Sequence, residues 1–194
     1  MPSPVGHLIA GYAVHSVMRE RITEKNGYVL AAVLFSALAA DLDFLPGIMV
    51  GAPGRFHHGV SHSLGAALLY GIGIWGILRC SKVKDAFQLA ILFATVYASH
   101  VILDYLAADT GAPFGVPLWW PLSNTYHIAS FPVFMDVKWL KGETTAFFAS
   151  IVSAHNLIAA VWEVVVLMPM VVWTQRRGKA ERTSLALCQE GQES

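Results

Sequence analysis

Charge is scarce in this chain: lysine, arginine, aspartate and glutamate make up 13% of its 194 residues, against 55% hydrophobic residues. With a positive mean hydropathy, that balance excludes an ordinary soluble domain of this length and leaves apolar surface that must face lipid. The formal net charge is zero, so the basic footprint of a nucleic-acid binder is missing and no nucleic-acid partner is expected. Cysteine is limited to Cys80 and Cys188, both in segments assigned below to the cytoplasmic side. That excludes a disulfide framework and a cysteine metal site, so any metal must take N and O ligands. Met1 to Val5 carries no lysine or arginine and no small-residue cleavage pattern follows, so the N-terminus is expected to stay in the mature protein. HExxH, GxSxG, Walker A and GxGxxG patterns are all missing, which leaves metalloproteases of that type, serine esterases and nucleotide enzymes without positive support.

What the chain does have is a series of apolar runs, each near the roughly 20 residues that a spanning helix needs. Val5 to Met18 is only about four turns long and is expected to be a short, tilted or partly embedded helix. Tyr28 to Val50 is long enough to cross and carries Asp41 and Asp43 before a Pro46-Gly47 break. Ser63 to Leu78 is a glycine-rich third helix suited to close helix contact, and Ala86 to Leu106 a fourth with His100 and Asp104 near one end. Ala107 to Gly142 is a long connection rich in proline, glycine and aromatics, with Trp119, Trp120, Tyr126 and Trp139 suited to a membrane interface. Thr145 to Trp173 is the fifth run and contains His155 and Glu163. The fold class predicted is therefore all-α, a polytopic membrane bundle of about four to five helices with a long aromatic-rich outer loop. Residues 1–175 form a single domain, and residues 176–194 a polar cytoplasmic tail expected to be disordered.

Basic residues orient the bundle. Arg19, Arg21 and Lys25, then Arg79, Lys82 and Lys84, then Arg176, Arg177, Lys179 and Arg182 follow the first, third and fifth helices, ten of the thirteen Lys and Arg. The positive-inside rule puts them in the cytoplasm, with the C-terminus inside and Arg55, Lys138 and Lys141 outside. This threading carries His7, Asp41, Asp43, His57, His58, His62, His100, Asp104 and His155 to the outer face together.

His100 and Asp104 are four residues apart and share one helix face, so both can reach one ion or two adjacent ones. Ionisable groups inside a membrane are costly, about 2.5 to 3.5 kcal/mol for a central Asp on insertion scales, which argues for function over a plain interhelical hydrogen bond. FHHGVSHSL brings three histidines beside a glycine that lets the backbone turn and a serine able to cap the third helix. Of His57 and His58, the spacing of four to His62 favours His58, and adjacent histidines point differently. Asp41 and Asp43, two apart near a helix end, offer one ligand and one bridging or orienting carboxylate. His7 joins them through the threading, and His155 is read as ligand or proton shuttle. Histidine with carboxylate suits a divalent metal, zinc first, with manganese or iron as alternatives.

GHLIAGY, ADLDFLP, FHHGVSHSL, SHVILDYLAADTGAPFGVPLWWPLS and SAHNLIAAVWE together resemble the YdjM-type, LexA-regulated family of inner-membrane metal-dependent hydrolases, over His7 to about Glu163. More distantly the pattern resembles zinc-dependent phospholipase C and related nucleases, all-helical enzymes whose His and Asp ligands hold several zinc ions. By that resemblance His7, Asp43, His58, His62, His100 and Asp104 are the ligand positions. The function expected is hydrolysis of an ester, a phosphoester of a lipid or envelope molecule, by metal-activated water, with Asp41 or Asp109 as base. The partner expected is a membrane lipid or amphiphilic substrate. The competing reading is a metal-binding or transport protein, which needs polar groups continuing across the membrane; Glu163, Gln88 and His15 are the few that the inner halves supply.

Overall fold

The computed structural model describes residues 1–19, 22, 27–140 and 143–193. Arg21, Lys25 and Lys141 of the basic pattern lie outside the described residues. Helix α1 (Pro4–Met18) begins with proline in its first turn, where no amide donor is required, after Ser3 in an extended conformation. Helix α2 (Gly27–Leu38) passes into a 3-10 turn at Ala39–Asp43 and then into α3 (Phe44–Met49). Helix α4 (Leu64–Cys80) starts at Ser63, whose hydroxyl accepts from the Ala66 amide at 3.0 Å. Helix α5 (Ala86–Tyr105) follows, then the long connection, then α6 (Thr144–Ile151) and α7 (Ala154–Glu193).

The expectation of a helical membrane bundle holds. Gly27–Met49, Ala86–Tyr105 and Ala154–Gly178 are each long and apolar enough to cross a membrane, and Leu64–Cys80 is a shorter apolar helix. The described residues contain isolated β-bridges at Ala107 with Phe134 and Val116 with His127, and no strands. Helix α5 is the axis of the bundle: it packs on α1, α2 and α4 and buries Leu92, Val96, Val101, His100 and Asp104. Leu68, Ile72, Ile77, Phe87, Ile91, Leu157, Val161 and Val165 stay exposed. An apolar exterior around a tightly packed axis is what a lipid solvent selects.

Three boundaries differ from the sequence reading. The break in the second run falls at the 3-10 turn and not at Pro46-Gly47, because Pro46 stands in the first turn of α3, where its missing amide costs nothing. The fifth run is two helices, parted at Val152 and Ser153. Asn156 holds the break together, its side chain donating to the carbonyls of Ile151 (2.9 Å) and Lys138 (2.8 Å) and accepting from the Lys138 amide (2.8 Å). Residues 176–193, assigned to a disordered tail, continue α7 as helix; alanine, leucine, glutamate, glutamine and arginine there are strong helix formers.

Small residues set the helix spacing. A Cβ at Gly71 would lie 2.7 Å from that of Ala94 on α5, whereas at Gly73 nothing stands within 4 Å. Gly71→Leu should therefore lower stability by about 1–3 kcal/mol relative to Gly73→Leu, which shares its gain in helix propensity. Thermal unfolding of the two variants in detergent measures the difference; equal midpoints would contradict the packing.

Candidate metal centre

One end of the bundle gathers the ionisable residues. The 3-10 turn delivers Asp41 and Asp43, the segment before α4 delivers His57, His58 and His62, the last turns of α5 deliver His100 and Asp104, and the first turn of α1 delivers His7. His7, His62 and His100 are at most 1% exposed and Asp104 is 2% exposed.

Four atoms form the centre of this group. His62 Nε2 lies 3.3 Å from His100 Nε2, 3.4 Å from Asp104 Oδ2 and 3.5 Å from Asp41 Oδ1. His100 Nε2 lies 3.1 Å from Asp104 Oδ2 and 3.5 Å from Asp41 Oδ1. Ligand atoms at about 2.0–2.1 Å from a tetrahedral zinc stand about 3.3–3.4 Å from one another, and these five separations, 3.1 to 3.5 Å, lie close to that length. His7 continues the set, stacking on the His100 ring at 3.6 Å with its Nε2 3.6 Å from Asp104 Oδ1.

Hydrogen bonding leaves several atoms of this group unused. His7 Nδ1 and Nε2, Asp41 Oδ1, both Asp104 oxygens and His58 Nε2 are buried without a hydrogen-bond partner. Each such group costs about 1–3 kcal/mol when nothing satisfies it, and carboxylate oxygens facing imidazole nitrogens in a dry pocket suit a divalent cation. The residues present thus fit the metal that the sequence pattern implies. Among the described residues, His57, His58 and His62, then His7, Asp41 and His100, then His62, His100 and Asp104 each bring ligand atoms within 4.8 Å of one another.

A second ring of contacts orients the first. His100 Nδ1 donates to the Ala37 carbonyl at 2.7 Å, which directs Nε2 at the centre. Asp43 sits behind the cluster, Oδ1 at 2.9 Å from His57 Nδ1 and Oδ2 at 3.1 Å from His62 Nδ1. Ser61 donates to Asp43 Oδ2 at 2.8 Å, and Tyr97 donates to the Ser61 carbonyl at 2.8 Å. Burial lowers the basicity of His62, yet its hydrogen bonds to the Asp41 and Asp43 carboxylates push its pKa up to about 9. Burial takes His57 down to about 4 in spite of Asp43.

His58 occupies the left-handed region at φ 61°, a conformation that costs a non-glycine residue on the order of 1 kcal/mol and clusters at functional sites. It sets the ring against Asp109, whose Oδ2 is 3.5 Å from Nδ1, with the His57 ring still in contact at 4.3 Å between centroids. Burial opposes ionisation of Asp109, but His58 and the amides of Gly111 and Gly115 hold its pKa down at about 2.

The sequence-predicted residues therefore divide. His7, Asp41, His62, His100 and Asp104 meet at the centre, Asp43 and His57 back it, and His58 with Asp109 flanks it. His155 stands apart: its Nε2 lies 2.8 Å from the Asp136 carbonyl and 3.4 Å from Asp136 Oδ1. Asp41, expected as a base, has its Oδ1 3.5 Å from both His62 Nε2 and His100 Nε2. Ser61, Asp136 and Asn156 were not singled out from the sequence. Ser61 carries a usable signal, lying between two histidines; Asp136 and Asn156 carry none beyond being polar in apolar surroundings.

Glu163 is buried with its carboxylate accepting from the Ser3 amide (2.7 Å), the Ser3 hydroxyl and the Gly6 amide (2.9 Å). It caps α1 from another helix, supplying acceptors to the free amides of the first turn. Gly6 is required beside it, since a Cβ there would lie 2.7 Å from Glu163 Oε2.

Fold and site together define a helical membrane protein with a buried His–Asp cluster at one end of its bundle. The chain belongs to the YdjM inner membrane protein family, whose family model matches residues 1–180. No curated protein and no solved structure matches it.

Removing the cap should loosen α1 locally. Glu163→Ala leaves three buried donors without their acceptor and is expected to cost about 1–3 kcal/mol, seen as faster amide hydrogen exchange at residues 3–7 with α5 unaffected. Unchanged exchange in that segment would show that the cap does not hold the helix start.

Proposed function

We propose that the chain is a membrane-embedded, metal-dependent hydrolase that cleaves an ester bond of an amphiphilic substrate. The observation that carries this reading is the four-atom set of His62, His100, Asp41 and Asp104, with ligand-like separations beside a cavity of about 1040 Å³. A divalent ion held there, zinc or else manganese or iron, would supply Lewis-acid polarisation of the scissile group and a more acidic water. His7 lies on the far side of Asp104 and extends the set toward a second position. Of Asp41 and Asp109, the two carboxylates expected as base, Asp109 is outside the four-atom set and lines the cavity, so it is assigned the proton of the attacking water, with His58 beside it. His57 and His58 form the boundary between cluster and cavity, and substrate would approach along them.

A transport reading needs a polar route onward through the bundle. Glu163, the acid best placed to extend one, spends its carboxylate on α1, which favours a site that opens on one face only.

Three expected outcomes test the proposal. The purified protein should contain zinc or manganese by elemental analysis, and Asp104→Asn should reduce that content at least tenfold while leaving the helical signal intact, because the amide is nearly isosteric but an uncharged, poorer ligand. His155→Ala should keep the metal, since its ring pairs with Asp136. Hydrolysis of an ester and phosphoester panel should vanish with chelator and with Asp104→Asn; metal-dependent flux into proteoliposomes without any hydrolysis would instead select the transport reading.

For sidedness we propose the site end to be non-cytoplasmic and the C-terminus cytoplasmic, as basic flanks require. With Cys80 and Cys188 replaced by serine, Gly54→Cys should label from outside intact cells and Lys82→Cys should not. The opposite pattern would invert the orientation.

A further inference from the structure

The cavity beside the cluster has two unlike walls. On the inner side stand His57, His58 and Asp109, and on the outer side Leu140 and Val152, which are 60% and 89% exposed. Leu140 and Val152 are continuous with the apolar outer face of α6, where Phe148 and Ile151 are also exposed. The rim carries two cations, Arg55 and Lys138, and among the described residues neither is in an ion pair. The carboxylates of the same cavity are already engaged. Asp109 accepts from the Gly111 and Gly115 amides, and Asp136 accepts from Thr110 and lies against His155. Both carboxylates are less exposed than Arg55 and Lys138, so the charge that reaches the rim is that of the two cations.

Depth points the same way. The spanning part of α7 has 25 residues, Ala154–Gly178, or about 37 Å of helix against a hydrocarbon core of about 30 Å. A helix of that length is able to reach the headgroup layer at its ends, and Ser153 and His155, at the start of α7, line the cavity. The mouth thus opens at the level where lipid phosphates reside, with cations at the rim and an apolar exit toward the acyl region.

We propose that the cavity binds the phosphate of a membrane lipid between Arg55 and Lys138, with the acyl chains leaving past Leu140 and Val152 into the bilayer. A planar guanidinium and a mobile ammonium together match a phosphate group, the first by paired hydrogen bonds and the second as a point charge. The apolar exit supplies what free phosphate lacks. This inference rests on the hydrolase reading only in taking the cavity as the place of the substrate.

The test measures binding without turnover. The full-length protein in an uncharged maltoside detergent is titrated with a dioctyl-ether phosphonate analogue of phosphatidic acid, which has neither an acyl ester nor a phosphorus–oxygen–carbon bond to hydrolyse. Dioctylglycerol diether and inorganic phosphate serve as the tail-only and head-only probes. The phosphonate lipid should bind at least tenfold more tightly than either. Arg55→Gln and Lys138→Gln should each weaken it about tenfold, and the pair about a hundredfold, with metal content unchanged. Lys138→Arg, which keeps the charge, should retain most of the affinity, and Arg55→Lys, which keeps the charge but loses the paired hydrogen bonds, should fall between the native protein and Arg55→Gln, so that the pair separates recognition from misfolding. Equal binding of dioctylglycerol diether, or undiminished affinity in the double glutamine variant, would overturn the phosphate clamp. Inorganic phosphate binding as tightly as the lipid would overturn the lipid source. If the phosphonate binds as expected while no ester is hydrolysed, the headgroup site stands and the hydrolase reading falls. If esters are hydrolysed while the double variant keeps its affinity, the reverse holds.

Discussion

Buried carboxylates facing buried imidazoles are the constraint around which this bundle is organised. Asp104 has both oxygens buried without a hydrogen-bond partner, and Asp41 has one. In an apolar medium such groups demand a compensating cation, and the cost of leaving them bare exceeds what most single contacts return. Every element that reaches the cluster is shaped to serve it. The second span tightens into a 3-10 turn that presents Asp41 and Asp43 together, His58 accepts a left-handed backbone, and α5 ends one turn beyond His100. Local irregularity of this kind, concentrated where the polar groups meet, is how a helical membrane protein makes room for chemistry.

The support behind the cluster is as specific as the cluster itself. His100 is oriented by a backbone carbonyl, His57 and His62 by Asp43, and Asp43 by Ser61, which is in turn reached by Tyr97 from α5. An imidazole whose far nitrogen is engaged has its near nitrogen aimed, and it loses little freedom when an ion arrives. Precision in the donor set is therefore obtained through residues that never touch the centre.

Much of this was legible in the sequence because its signals are local. The i, i+4 pair of His100 and Asp104, the spacing of His58 and His62, and apolar runs of spanning length each follow from helix geometry alone. Their gathering at one end followed from adding the basic flanks, which fix the direction of each crossing. What was not legible depends on contacts distant in sequence. The partition of Asp41 into the centre and Asp43 behind it turns on where His62 and His57 arrive. His155 lies at the right end of the bundle, but its partner is Asp136 of the long connection, a pairing that no spacing rule predicts. The break between α6 and α7 depends on Asn156 reaching back to residues 138 and 151. Glu163 read equally as a functional group deep in the membrane and as a structural acceptor, and only its distance to Ser3 and Gly6 separates the two.

The Glu163 cap joins residues 160 positions apart. The first helix is made long before its acceptor. Helix α1 packs on α2 and α5 as well as on α7, but the cap on its first turn, beside His7, comes from the last helix alone. A chain ending before α7 would carry every histidine and aspartate of the central set, yet lack the carboxylate that secures the helix start bearing His7. The end of the chain thereby steadies its beginning.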